Sequence, residues 1–411
     1  MKITITNAYS YHNKGDAGIL LGTINLLKKI YGKRIEINIL SFTPNIDKKI
    51  YLKDKCVKRV ESNILNPHPY KHTKLGKLIA ILKLVSRTFY LKFMIKFFKN
   101  QILKKEISLK LISDSDLVIV CGGGFLGGKK FDSLMHLFQI DANTKYNDNV
   151  ILMGNSIEPI NNIFLKNYTE KILKKVKFLM ARESITYDYL NTFLDSNKFS
   201  LIPDLAFMLE DKYKSFKEIN NFKKDKKYIV GITVRNWNFP NSNGNMEKYI
   251  NVIKNVIVNY VERSSAGFVF IPQVIVNHAN DINVAKEIKK ILPEHIKKSF
   301  LIIEDDLSPL EIKSLIGNMN YFIGTRMHSN IFALSMKVPT LAISYEMKTN
   351  GIMNMLDLDD YIVSIDSISE NELITKFDNL ISNSVEIKNK LYNKIDEIRY
   401  KLVDVIEKIL K

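Results

Sequence analysis

Residues 321–351 read YFIGTRMHSNIFALSMKVPTLAISYEMKTNG. An apolar run, Tyr321–Ile323, meets Gly324, Thr325, Arg326 and His328, then an apolar helical stretch over 328–337 and a second apolar run, Thr340–Ser344. Strand, helix and strand in this order make a parallel unit, with apolar strands because both sheet faces are covered. Gly324 permits a tight strand-to-helix turn. That turn presents Arg326 and His328 beside the amides of a helix N-terminus, a natural seat for phosphate or carboxylate. Tyr345, Glu346 and Lys348 follow the second strand. Two readings stand. Either Arg326, His328 and Lys348 form an anion-processing site, or Arg326 pairs with Glu346 and His328 merely caps the helix.

The same alternation extends in both directions. Strands are predicted at Lys2–Asn7, Ile35–Leu40, Asp116–Cys121, Val150–Gly154, Phe178–Ala181 and Phe199–Ile202, with helices such as Ala17–Tyr31, Asn162–Val176 and Ser184–Asn191 between them. After a charged stretch the pattern restarts at Tyr228–Val234, Gly267–Ile271, Phe300–Ile303, Tyr321–Ile323, Thr340–Ser344 and Tyr361–Ser364. Ser308, Pro309 and Glu311 spell a capped helix start. At 411 residues the chain is long enough for two cores. The expected fold is α/β, with two doubly wound Rossmann-like domains facing a cleft: 1–207, with a basic amphipathic insertion at 70–110, and 228–384. Residues 208–227 read as a charged linker and 385–411 as a terminal amphipathic helix. Ligands of such sheets bind at the strand carboxyl ends.

Composition narrows the class. Apolar residues make up 46% and charged residues 25%, as in a soluble globular protein. Cys56 and Cys121 suggest neither a disulfide framework nor a metal pair, so a cytoplasmic protein is expected. The N-terminal stretch alternates like a strand and lacks a signal peptide's apolar core. No apolar run is long enough to span a bilayer. The net charge of +18 is uneven. Between Tyr70 and Lys110, eleven Lys or Arg face one acid, Glu106, so this segment alone carries a net +10. Its phenylalanines and leucines give it the character of a membrane-surface helix, docking on an anionic inner leaflet. The 140° turn from Arg87 to Lys92 breaks any basic stripe, which fits two helices meeting near Arg87. An ordinary solvated helix pair is the competing reading. No nucleic-acid motif accompanies the charge.

The loops at strand ends supply the other candidates. After the first strand come Tyr11, His12, Asn13, Lys14, Gly15 and Asp16. Gly15 and Asp16 fit a turn and a cap, leaving Asn13 as a contact for a sugar hydroxyl or an acceptor phosphate. CGGGFLGG (121–128) places five glycines in the seven positions 122–128. It is neither a dinucleotide fingerprint nor a Walker loop. Close packing against another loop would explain it, but so much glycine favours close approach of a ligand to Gly123 and Gly124. Arg182 ends a strand and either grips an anion bidentately or pairs with Asp204. Arg235 ends another strand, before Trp237, which is packed or stacks on a sugar. Gln273 closes the next strand. His12, His136 and His278 are weaker candidates, and His68, His72 and His295 read as surface residues. No cluster has metal-ligand spacing.

Taken in order, NAYSYHNKGDA (7–17), CGGGFLGG (121–128), ARES (181–184), PD (203–204), GITVR (231–235), GTRMH (324–328) and YEMK (345–348) resemble the motifs of the polysaccharide pyruvyl transferase family over roughly residues 1–360. The resemblance implies a fold similar to the two-domain B-type glycosyltransferases. It also implies transfer of the pyruvyl skeleton of phosphoenolpyruvate to a sugar as a cyclic ketal, and it sets Arg182 among the groups that hold phosphoenolpyruvate. The donor needs several cations for its phosphate and carboxylate: Arg182, Arg326 and Lys348, with Arg235 in reserve. His328 is the expected acid, protonating the methylene so that C2 becomes electrophilic to an acceptor hydroxyl. No cofactor is required beyond phosphoenolpyruvate as donor substrate, and the acceptor would be a saccharide, lipid-linked or not. Two alternatives share the residues: a B-type glycosyltransferase using a nucleotide sugar, and a non-catalytic protein binding anionic glycans or lipids. The first would want a carboxylate for the ribose, with Glu346 or Asp305 the only ones near the loops.

Overall fold

The computed structural model describes residues 1–66, 74–128, 131–240, 244–276 and 279–410. Tyr70, Lys71 and His72, at the start of the basic segment, lie outside the described residues, as do His68 and His278. The chain divides into two compact units. The first comprises Met1–Tyr11, Thr23–Leu205 and Leu402–Lys411, and the second His12–Gly22 and Ala206–Lys401.

The first unit is built on eight strands: β1 (Lys2–Ala8), β2 (Glu36–Ser41), β3 (Val57–Ser62), β4 (Leu117–Val120), β5 (Gly123–Gly127), β6 (Val150–Glu158), β7 (Phe178–Ala181) and β8 (Phe199–Leu201). They run in the order β3-β2-β1-β4-β6-β7-β8, with β5 also on β6, and all pairings are parallel. Ile3, Ile5, Val118, Val120, Leu152 and Leu179 are fully buried, as expected of central strands covered on both faces. The order reverses between β1 and β4.

The second sheet contains β9 (Ile229–Thr233), β10 (Gly267–Phe270), β13 (Phe300–Ile302), β14 (Tyr321–Gly324), β15 (Thr340–Ser344) and β16 (Ile362–Ser364); a separate ribbon holds β11 (Ile275–Val276) and β12 (Ala279–Asn280). The sheet order β13-β10-β9-β14-β15-β16 is parallel throughout and reverses between β9 and β14. This is the doubly wound order whose ligands sit at the carboxyl ends beside the reversal. The predicted cap at Ser308 is present as a reciprocal capping box with Glu311. The segment read as a linker is tied down within this unit. Asp211 accepts two bonds from Arg399, at 2.8 and 2.7 Å, and meets Lys313 and Lys337 at 2.8 and 3.2 Å. Burial works to raise the Asp211 pKa, but these cations hold it far below the carboxylate range.

The basic segment corrects an expectation. One continuous helix, Lys74–Phe97, passes through Arg87, and the break falls at Phe98, before Lys99–Lys105. Arg87 needs no kink to find a partner, since Glu106 lies 2.6 Å away. Leu91, Met94 and Ile95 bury one side of this helix in the first core. A 27-residue helix, Ser384–Leu410, ends the fold.

Candidate active site

The second unit gathers most of the predicted residues at the carboxyl edge of β10, β9, β14 and β15, four neighbouring strands. Thr233, at the end of β9, accepts the amides of Thr325 (3.0 Å) and Arg326 (3.4 Å) through Oγ1, which ties the two loops flanking the sheet reversal. Thr325 is buried and shares a 2.9 Å hydroxyl contact with Tyr249, whose phenol burial pushes up to about 12. Arg326 is the N-cap residue of helix Met327–Ser335, and its guanidinium turns back to Asp281, Nε to Oδ2 at 3.2 Å and Nη2 to Oδ1. Its partner is therefore Asp281 rather than Glu346. Asp281 also accepts the amides of Gln273 and Val274, so the pair fixes the loop after β10.

His328 sits in the first turn of that helix. A Cβ on Gly15 would overlap the imidazole, lying 2.6 Å from its Cγ, so the absent side chain at Gly15 makes room for the ring. Asn13 accounts for the start of this approach. Its Oδ1 accepts from the Gly15 and Asp16 amides, at 3.2 and 3.5 Å, and its Nδ2 donates to Asp16 at 2.6 Å. Asn13, not Asp16, is thus the cap of helix Lys14–Tyr31, with one Nδ2 hydrogen bond on that same turn, to Asp16. Lys14 is 0% exposed, with Nζ 2.5 Å from Asp306 and its own amide on the Gln273 carbonyl at 3.1 Å. Gln273 is buried, and its side-chain amide has no hydrogen-bond partner among the described residues. Such a group costs stability unless something else satisfies it.

Arg235 differs from Arg326. Its guanidinium stacks 4.0 Å from the Tyr345 ring centre and 4.8 Å from that of Trp237. Trp237 is held by its indole N–H on Asp366, at 3.3 Å. Arg235 has no ion pair among the described residues, and its Nε donates to the Asn236 carbonyl at 3.2 Å. The two ring centres are only 5.0 Å apart, so both rings sit on one side of the guanidinium, and a cation held this way keeps donors for a carboxylate or phosphate. Lys348, in the first turn of helix Met347–Met355, is half-buried and has no ion pair among the described residues. Glu346 is exposed at that helix's N-cap.

The remaining candidates lie in the first unit. Arg182 is held in a dense network: Nη1 to Asp204 at 3.0 Å, Nε and Nη2 to Ser156 Oγ at 3.1 and 2.8 Å, with Glu183 at 3.6 Å. Ser156 in turn donates to Glu183 at 2.6 Å. This is the pairing reading of Arg182. In the glycine-rich run, Gly127 has φ +84° and its missing Cβ would strike the Glu158 backbone, so tight packing on β6 explains that glycine. Gly123 begins β5, and Gly124 is exposed, open to approach. His136 is fully buried, its Nδ1 2.8 Å from Asn7 Nδ2 and its Nε2 2.8 Å from Tyr9 Oη. Because Asn7 Nδ2 donates, Nδ1 must accept, and desolvation lowers the His136 pKa to about 3. His12 approaches Asp306 at 3.8 Å, and His295 sits at the surface near Glu262.

Comparison with known proteins decides what this edge belongs to. The family model described as polysaccharide pyruvyl transferase matches residues 13–347, from the Asn13 cap to the residue before Lys348. The chain belongs to the polysaccharide pyruvyl transferase family. Membership supports a transferase role in polysaccharide modification. The chain is also 24% identical to the amylovoran biosynthesis protein AmsJ of Erwinia amylovora, over 97% of this chain and 96% of that one. Among solved structures, it resembles a UDP-N-acetylglucosamine 2-epimerase from Listeria monocytogenes, with a TM-score of 0.59 and 12% identity over 95% of this chain and 90% of that one. An epimerase from Methanocaldococcus jannaschii gives 0.57 and 16%, over 92% of each chain. These likenesses establish the fold, that of B-type glycosyltransferases and related epimerases.

In this pyruvyl transferase family member, three residues of the edge carried no sequence signal strong enough to single them out. Asp281, Asp306 and Lys14 are charged groups whose partners lie 45, 292 and 292 positions away. Only the fold juxtaposes them.

Proposed function

We propose that this protein transfers the pyruvyl group of phosphoenolpyruvate to a sugar of a cell-surface polysaccharide or its precursor, releasing phosphate and closing a cyclic ketal. The observation that carries the reading is Arg235, a cation packed against two aromatic rings and without a carboxylate partner among the described residues, at the sheet reversal of a family member. Arg235 and Lys348 supply positive charge for the donor's phosphate and carboxylate. Arg326 contributes mainly by holding the turn that carries His328, since Asp281 already occupies its fork. The buried Gln273 amide offers a neutral donor and acceptor at the same edge.

In this mechanism His328 delivers a proton to the methylene carbon, and C2 acquires oxocarbenium character. An acceptor hydroxyl adds to C2, and its proton restores the imidazolium. Phosphate then leaves with the C2–O bonding pair. A second hydroxyl of the same sugar closes the ketal, its proton passing to the departing phosphate. Every step uses groups of the donor, the acceptor and His328. The acceptor would be met at the inner face of the membrane, where envelope precursors are assembled.

Titration calorimetry with phosphoenolpyruvate and with a panel of nucleotide sugars tests the donor. Saturable phosphoenolpyruvate binding, weakened in Arg235→Ala and Lys348→Ala, is expected. Binding of a nucleotide sugar with none of phosphoenolpyruvate would replace this reading with a glycosyltransferase. Saturable binding of glycans without phosphate release from phosphoenolpyruvate would leave a non-catalytic glycan binder.

A further inference from the structure

We propose that the outward face of helix Lys74–Phe97 docks on an anionic phospholipid bilayer, lying along its surface. The proposal locates the membrane association suggested above and is independent of the donor chemistry.

The helix has two unlike sides. Leu91, Met94 and Ile95 pack into the core of the first unit, so the helix is anchored without any membrane. Its other side is apolar and exposed: Leu75 66%, Leu82 59%, Phe89 69%, Phe93 54% and Phe97 59%. Leu75, Leu78, Leu82, Val85, Phe89, Phe93 and Phe97 follow one another in steps of three and four, so they form one stripe along the full length. A helix of 24 residues makes that stripe about 36 Å long. Exposed apolar patches of this extent on a soluble unit mark an interaction surface.

Charge identifies the occupant. Lys74, Lys77, Lys83, Arg87, Lys92 and Lys96 all lie on this helix, which has no acidic residue. Lys92 and Lys96 are exposed beside the stripe, and the Lys96 ammonium lies 5.0 Å from the Phe97 ring centre. The Phe93 ring sits 5.1 Å from Phe97 and 5.7 Å from Phe98, forming an aromatic cluster at the C-terminal end. Self-association through this face would set basic helices that carry no acid of their own against each other, because a twofold contact repeats the same patch. A bilayer with anionic headgroups instead offers hydrocarbon to the rings and phosphates to the lysines. Spanning is not the alternative: among the described residues no helix is long and apolar enough to cross a membrane.

The test mixes the full chain with vesicles of phosphatidylcholine alone, or of phosphatidylcholine with phosphatidylglycerol, and sediments them across a salt series. Partition onto the anionic vesicles only is expected, declining as salt shortens the screening length from about 10 Å at 0.1 M. Two variants divide the surface: Lys83→Glu with Lys92→Glu and Lys96→Glu, and Phe89→Ser with Phe93→Ser. Each should weaken partition at least about tenfold, while melting temperature and phosphoenolpyruvate binding stay unchanged. Equal partition onto both vesicles, or onto neither, would overturn the proposal. So would a dimer in light scattering that the phenylalanine variant splits, which would assign the face to a second copy.

Discussion

Arg182 and Arg235 each follow a buried strand of a parallel sheet, and in sequence they look alike. In the structure they are opposites. Arg182 is 7% exposed and is surrounded by Asp204, Glu183 and Ser156. Arg235 packs against two adjoining rings and has no carboxylate partner among the described residues. An arginine at a strand's carboxyl end is therefore a scaffold or an anion site according to what already fills its fork. Arg326 lies between them, paired with Asp281 but placed on the turn that presents His328.

The comparison breaks most directly at Asp204. If Arg182 is scaffold, Asp204→Ala removes the nearer of its two carboxylates and should cost about 3 kcal/mol of stability, read from urea unfolding. A variant of unchanged stability that fails to bind phosphoenolpyruvate would move Arg182 to the binding side. Next in size is His328→Gln. It should keep phosphoenolpyruvate binding and lose about 100-fold in turnover, equivalent to about 2.7 kcal/mol. Near-normal turnover would return His328 to a structural part of the Gly15 contact.

A third prediction sets the two histidines apart. His136 is neutral in the folded protein, with its pKa depressed to about 3 from an ordinary value of 6.5. Its contribution is thus fully present above pH 6.5 and is lost as pH falls toward 3, because the unfolded chain takes up the proton first. At pH 5 the loss is about 2 kcal/mol. Thermal melts at pH 7 and pH 5 should show this drop in the parent and a smaller one in His136→Gln. An identical drop in both would mean that His136 does not titrate as its burial requires.

The sheets were legible in the sequence because parallel strands buried on both faces are continuous apolar runs. Besides the short β11–β12 ribbon, two strands escaped notice for physical reasons. β3, VKRVES, is an edge strand with three charged positions, and β5 is three-fifths glycine. The turn bearing Arg326 and His328 was legible from Gly324 and the apolar runs around it. Partners were not: Asp281 for Arg326 and Asp306 for Lys14 arise from tertiary proximity alone. The same gap explains Asn13, which sequence offered as a sugar contact and whose role as a helix cap it did not show. It also explains helix Lys74–Phe97, where local charge spacing suggested a break that packing of Leu91, Met94 and Ile95 removes.

The smallest effect is the most discriminating. Arg235 is half-buried and packed on rings rather than ion-paired, so Arg235→Ala leaves no buried charge behind and forfeits its cation–π contacts, about 1 kcal/mol, and a bond to a neighbouring carbonyl. Phosphoenolpyruvate affinity should nevertheless fall about tenfold, or about 1.4 kcal/mol. Arg235→Lys should recover part of it, since an ammonium keeps the charge but cannot present two parallel donors or stack as a plane. Tyr345→Leu keeps the charge and removes the nearer of the two rings. Affinity should drop by less than in Arg235→Ala, with the loss seen as faster dissociation of a less fixed guanidinium. If Arg235→Ala destabilises the fold as strongly as Asp204→Ala and leaves phosphoenolpyruvate affinity intact, the two arginines are both scaffold. The donor's anions would then be held elsewhere, with Lys348 the next cation to examine.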